Sequence, residues 1–244
     1  MPGPLATVVW PTTRADKCNS NLEENTENCS DNWVEKNTFN GTQYFSLSMT
    51  DDGTKMVTGS QYSDLDESNR GSVHFYDLTS YSIIQKIHGD AEGDSFGYCV
   101  SLSRDGSRAA VGTFSGQYVK VFQYIAAKSS FVQIGDNIKI TDDTLFGRSA
   151  VLAGDGCRLA VGAPNSGISF FGRTLIYTIH GESWNLISKI EGDISLGFSG
   201  SSLALSNDGR QVSIGNKFGV DIFGSTGLKR DAIGIVSNMH EIEK

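Results

Sequence analysis

Apolar and polar residues alternate in short runs along this chain, and the same arrangement of runs is written four times. Phe45 to Thr50, Tyr98 to Ser103, Ser149 to Ala153 and Ser201 to Ser206 each place apolar side chains two residues apart, as Leu47/Met49, Val100/Leu102, Ala150/Leu152 and Leu203/Leu205. A period of two puts those side chains on one face of a β-strand. An Asp-Gly pair follows each run, at Asp52-Gly53, Asp105-Gly106, Asp155-Gly156 and Asp208-Gly209, so the glycines are 53, 50 and 53 residues apart. Asp-Gly predicts a tight hairpin, because glycine accepts the positive φ that such turns demand.

The strand after the turn is short, small-residued and ends in glycine: Met56 to Gly59, Ala109 to Gly112, Leu159 to Gly162 and Val212 to Gly215. Small side chains suit a place where sheets crowd together. A third strand follows a variable loop, at Ser72 to Leu78, Tyr118 to Tyr124, Thr174 to Ile179 and Gly219 to Phe223. A fourth is predicted at Tyr81 to Ile87, Phe131 to Ile138 and Trp184 to Ile190, with a weaker counterpart at Leu228 to Val236. Four antiparallel strands per copy, with a period near 50 and no helical pattern between copies, predict an all-β chain built as a β-propeller of four-stranded blades.

Upstream, Trp33 stands eight residues before Gly41 as Trp184 stands eight before Gly192. Trp33 to Phe39 therefore reads as a fourth strand, with Leu5 to Trp10 as its third-strand partner. The whole chain, 1–244, reads as one propeller domain: an N-terminal half blade over 1–40 and repeats at about 41–92, 93–142, 143–194 and 195–244. Four blades and a half leave three options open: a four- or five-bladed ring, or part of a larger propeller.

The second and third copies carry a more specific signature. Asp94-Ser95-Phe96-Gly97-Tyr98 leading to Asp105-Gly106 and Ala110-Val111-Gly112, and Phe146-Gly147-Arg148 leading to Leu159-Ala160-Val161-Gly162-Ala163-Pro164, resemble FG-GAP repeats, the propeller repeats of the integrin α-chain head. The resemblance spans about 33–225. The first copy has Tyr44-Phe45 where Phe-Gly is expected, and the fourth has Phe198-Ser199-Gly200. It implies an extracellular, cell-surface or organelle-lumen setting and a protein partner. It also raises calcium, since such repeats often hold an Asp-x-Asp-x-Asp-Gly loop whose carboxylates suit a hard cation. No copy here has that loop, so Asp105, Asp155 and Asp208 read as turn residues. The remaining acidic cluster is Asp64-Leu65-Asp66-Glu67-Ser68, where oxygens of Asp64, Asp66 and Ser68 suit one ion; a solvated polar loop is the simpler reading.

Composition narrows the function classes. With 244 residues, 38% of them hydrophobic, the chain is long enough to bury a substantial core. A net charge of −8 and the lack of a basic run argue against nucleic acid, and no apolar stretch approaches the roughly 18 residues of a membrane helix. Cys18 and Cys29 flank a polar loop that a disulfide would staple, whereas Cys99 and Cys157 read as free thiols. Asn28-Cys29-Ser30 and Asn40-Gly41-Thr42 fit the N-glycosylation acceptor pattern, and the chain begins without a signal-peptide pattern.

The four histidines, His74, His88, His180 and His240, never recur at matching positions, and no nucleophile motif is present, so the chain reads as non-catalytic. Large aromatics at Trp33, Phe75, Tyr76, Phe122, Tyr124, Phe131, Tyr177, Trp184 and Phe223 are expected to fill the gaps between blades. Phe114, Phe170, Phe171 and Phe218 instead fall in the variable loops and are candidate binding anchors. Those loops differ too much to give the equivalent pockets of a lectin, which makes glycan an unlikely ligand. The alternative reading is a structural subunit whose incomplete blade a neighbour covers.

Overall fold

Each Asp-Gly pair closes a hairpin in which the aspartate does as much as the glycine. The computed structural model describes residues 8–10, 34–39, 44–62, 69–140 and 145–225. In the first copy Thr50 N–H donates to Lys55 O at 3.0 Å and Gly53 N–H to Thr50 O at 3.0 Å, so the connection is four residues rather than two. Gly53, Gly106, Gly156 and Gly209 take φ of 68°, 67°, 67° and 64°, the left-handed conformation that a Cβ makes costly. The aspartate Oδ1 accepts from the amide two residues on: Thr54 at 2.9 Å, Ser107 at 2.9 Å, Cys157 at 2.8 Å and Arg210 at 3.0 Å. These local bonds fold the turn without help from the core.

The chain divides into two compact units, Met1–Gly41 and Thr42–Lys244. In the smaller unit β1 (Val8–Trp10) pairs antiparallel with β2 (Val34–Asn37), in agreement with the expected third and fourth strands. In the larger unit the described residues form four antiparallel sheets, each in chain order. Sheet 1 is β3 (Ser46–Met49), β4 (Lys55–Ser60), β5 (Ser72–Asp77) and β6 (Ser82–His88). Sheet 2 is β7 (Phe96–Leu102), β8 (Arg108–Thr113), β9 (Tyr118–Ile125), β10 (Ser130–Gln133) and β11 (Ile138–Lys139). Sheet 3 is β12 (Ser149–Leu152), β13 (Arg158–Ala163), β14 (Arg173–His180) and β15 (Ser183–Glu191). Sheet 4 is β16 (Ser202–Leu205), β17 (Gln211–Gly215) and β18 (Val220–Gly224).

One strand departs from expectation. Phe131 to Ile138 is not continuous: β10 and β11 both pair with β9, and Gly135 between them takes φ +70°. A positive φ breaks the pleat, and the Gln133 amide closes the excursion by donating to Gly135 O at 3.1 Å and Asn137 Oδ1 at 3.0 Å. The expected strand Leu228 to Val236 lies outside the described residues, as do Cys18, Cys29, Trp33, Asn28, Asn40, Asp64, Asp66, Ser68 and His240.

The core is not inside the sheets but between them. Val57, Val73 and Phe75 of sheet 1 pack on Phe96, Ala109, Val111, Phe122 and Phe131 of sheet 2. Ala110, Val119 and Val121 of sheet 2 pack on Leu159, Val161, Leu175 and Tyr177 of sheet 3, and Ala160 and Ile176 pack on Val212 and Ile214 of sheet 4. Aromatics fill the first seam as expected, with Phe75 stacked on Phe131 at 4.0 Å between centroids and edge-on to Phe122 at 6.1 Å.

A pair of glycines marks each seam where sheets come closest. The motif glycines Gly97, Gly147 and Gly200 each precede the turn glycine by nine residues and take φ of 87°, 89° and 90°. Their carbonyl oxygens fill the space into which a Cβ on Gly59, Gly112 or Gly162 of the preceding sheet would project. Beside each pair, a first-strand side chain of the preceding sheet donates to the same carbonyl: Ser46 Oγ to Gly97 O at 2.9 Å, Cys99 Sγ to Gly147 O at 3.2 Å, and Ser149 Oγ to Gly200 O at 2.6 Å. By the same nine-residue spacing, the position in the first copy is Tyr44, not Phe45. Tyr44 instead reaches His74 and Tyr76, its hydroxyl 3.4 Å from His74 Nδ1 and 3.1 Å from Tyr76 Oη.

Candidate functional site

The residue after each motif position turns to the end of the sheets where the variable loops emerge. Phe45 meets Tyr62 edge-on at 5.6 Å; Tyr98 meets Phe114 at 5.0 Å; Arg148 lies with Cζ 5.8 Å from the centre of the Phe114 ring. A cleft of about 320 Å³ opens next to this row, lined by Arg148, Asn165, Phe198, Ser201, Asn216 and Lys217. Two cations and two amides line it with no carboxylate among the described residues, which gives it a positive character in a chain whose net charge is −8.

The loops around the cleft are built from backbone bonds and held under strain. Leu196, Phe198 and Ser199 amides donate to Ser169 O, Phe170 O and Phe171 O at 2.8, 3.2 and 3.0 Å, and Lys217 N–H to Gly197 O at 2.7 Å. Asn216 Oδ1 accepts from the Phe218 and Gly219 amides, each at 2.8 Å, and its Nδ2 donates to Asp221 Oδ2 at 2.9 Å. Ser169, Phe170, Leu196 and Phe198 adopt φ of 60°, 54°, 56° and 53°, each at a cost of roughly 1–2 kcal/mol for a side chain larger than glycine. Strain of this kind persists where the fold has a use for the resulting geometry. Here it stacks Phe170 on Phe198 at 6.0 Å.

The loop aromatics expected from the sequence divide into two groups. Phe170 is 44% exposed and Phe218 61%, Phe218 with Lys217 Nζ 5.6 Å over its ring. Phe114 and Phe171 are half-buried, and Phe114 supports Tyr98 and Arg148. Arg148, Asn165, Phe198, Ser201, Asn216 and Lys217 were not singled out from sequence. The signal that finds Arg148 and Ser201 is their place directly after Gly147 and Gly200.

Elsewhere, the ionisable groups serve the fold. Lys120, buried in the first seam, pairs with Asp90 at 2.5 Å, and Asn137 Nδ2 donates to Asp90 Oδ2 at 2.9 Å. Tyr118 Oη donates to Asp94 Oδ2 at 2.8 Å, and burial first, then the carboxylates of Asp94 and Asp90, push its pKa up. His74 is buried, while His88 and His180 are exposed at strand ends. A second cleft, of about 260 Å³, lies between the outer strands of sheets 2 and 3 and is lined by Asp136, Asn137, Lys139, Tyr177, Ser183 and Trp184. Among the described residues no three His, Cys, Asp or Glu side chains come together as a metal site. None of the described helices is long and apolar enough to cross a membrane.

Four sheets packed face to face through glycine seams can be compared with solved structures. The β-propeller domain of Cps50 (Swd1) from Myceliophteria thermophila superposes with a TM-score of 0.55 at 16% identity, over 81% of this chain and 58% of that one. The chain has a propeller-like fold. A functionally unknown protein from Desulfotomaculum acetoxidans matches with a TM-score of 0.57 at 17% identity, over 82% of this chain and 56% of that one. Hydrazine synthase from Kuenenia stuttgartiensis matches at 0.52 and 14%, over 78% and 49%. The propeller-like chain thus spans about half the length of each of these structures. No protein-family model and no curated protein matches its sequence.

Proposed function

We propose that the chain is a non-catalytic protein-interaction module of the FG-GAP type, which offers the cationic, aromatic-rimmed cleft on its loop face to a protein partner. The observation that carries this reading is the convergence of Arg148 and Lys217 on one cleft beside the open rings of Phe170 and Phe218. Aromatic and arginine side chains in this setting are the usual anchors of protein interfaces. The dispersed histidines and the structural pairing of Lys120 favour binding over catalysis. An extracellular, cell-surface or organelle-lumen setting belongs to the same reading, which also takes the Asn28 and Asn40 acceptor triplets and the Cys18/Cys29 loop as secretory features. Calcium at Asp64 and Asp66 has no part in it.

A second reading, a subunit of a larger assembly, draws support from the outer face of sheet 4, where Val220 and Ile222 are exposed.

The test of the first reading is affinity. A partner recovered from the native source should bind the F170A/F218A variant and the R148A/K217A variant each about tenfold or more weakly, the loss typical of hot-spot truncation. Both variants should keep the Tm of the parent. Unchanged affinity in both would remove the cleft from the function.

A further inference from the structure

The three described seams share one lock, and sheet 4 carries half of it. On the face that sheets 1, 2 and 3 turn to the next sheet, Val73, Val119 and Thr174 stand opposite the second-strand glycines, and Phe75, Val121 and Ile176 stand two residues on. The first three are 0% exposed and the second three 1%, 1% and 7%. At the same register in sheet 4, Val220 opposite Gly215 and Ile222 opposite Ser213 are 65% and 71% exposed. A Cβ on Gly59, Gly112 or Gly162 would meet the carbonyl of the next motif glycine, whereas the nearest atoms to one on Gly215 belong to Ser202 of its own sheet. Ser202 stands where Ser46, Cys99 and Ser149 donate to that carbonyl. Sheet 4 therefore keeps the glycine, the hydroxyl and the apolar pair, arranged for a neighbour of the kind that fills the other three seams.

We propose that the outer face of sheet 4 docks a further sheet of this same repeat, whose first strand carries a motif glycine that accepts from Ser202 Oγ and seats against Gly215. The occupant is not a second copy of this chain. The sheet that a second copy would bring with an outward first strand is sheet 1, which has Tyr44 at the motif position, and a Cβ there is disfavoured at the φ of about 90° that the lock requires. The opposite face of sheet 1, with Met56, His74 and Tyr76, is also already buried. The inference is independent of the loop-face cleft. It extends an interface made three times within the chain.

The experiment supplies a further sheet. The full chain is extended by a Gly/Ser linker and a duplicate of residues 145–192, the third repeat with its Gly147, and amide exchange is followed over 211–224 in the unextended and extended proteins. Exchange there should slow about tenfold or more when the duplicate is present, and the protection should vanish when Gly147→Val is placed in the duplicate alone. A protected duplicate that leaves 211–224 unchanged overturns the proposal. So does slow exchange at 211–224 in the unextended chain, which would mean that its own residues already cover the face, and so does a dimer of the unextended chain that protects it. If the duplicate does not fold, G162A and G215A in the unextended chain decide: a filled seam makes G162A lower the Tm while G215A does not, and equal losses overturn the proposal.

Discussion

The carbonyl oxygen of Gly97 occupies the space into which a Cβ on Gly59 would project. The two residues are in different sheets, and their contact sets how near the inner edges of those sheets can come. Gly59 has no positive φ, so its need for glycine is one of space alone. This separates it from the turn glycines, whose need is conformational.

Gly59→Ala should therefore destabilise through overpacking, by about 1–3 kcal/mol, with the Tm falling by roughly 2–4 °C per kcal/mol for a chain of this size. Gly53→Ala meets open space and should lose only the cost of its positive φ, about 1–2 kcal/mol. Thermal unfolding of the two, together with Gly106→Val at φ +67°, checks the assignment. A Gly106→Val protein with the parent's Tm would contradict the turn.

The turn aspartates make stability depend on pH in acid. The Thr50 hydroxyl, then the Thr54 amide, hold the Asp52 carboxyl below its ordinary value of 3.8. Burial pushes Asp105 up, but the Ser107 amide and the Ser103 hydroxyl outweigh it; the Ser206 hydroxyl and the Arg210 amide lower Asp208. A lowered folded pKa stabilises the protein above the unfolded value and loses that contribution as pH falls through the folded one. The Tm should hold from neutrality to about pH 4 and fall below it, and Asp105→Asn should make that fall shallower.

The two described cysteines should differ in reactivity. Burial pushes the Cys99 thiol up to about 12, and its Sγ donates to Gly147 O across the second seam; Cys157 is exposed beside a turn. Brief iodoacetamide treatment of the native protein, read by peptide mass, should modify Cys157 and spare Cys99. Equal labelling would show that the seam opens readily.

The elements and their order were legible because each is local. Alternating Leu47/Met49 or Val100/Leu102 specifies a strand through the geometry of the pleat, and Asp-Gly specifies its turn through bonds that reach only two to five residues. Four copies of that pattern were enough to predict the sheets and their antiparallel pairing. The break at Gly135 is not legible in the sequence, because a single positive φ leaves no trace in hydrophobic periodicity. The site escaped for a different reason. Arg148, Phe198 and Lys217 come from three separate stretches of chain and share one cleft only because the glycine seams set sheets 3 and 4 side by side. What the sequence alone determined was therefore the repeat, its strands and its turns, all governed by contacts between near neighbours. Which glycine is pressed by which carbonyl, which loop aromatic is open and which is packed, and which sheet face exposes its apolar residues are properties of contacts about 50 residues apart, and only the tertiary structure decided them.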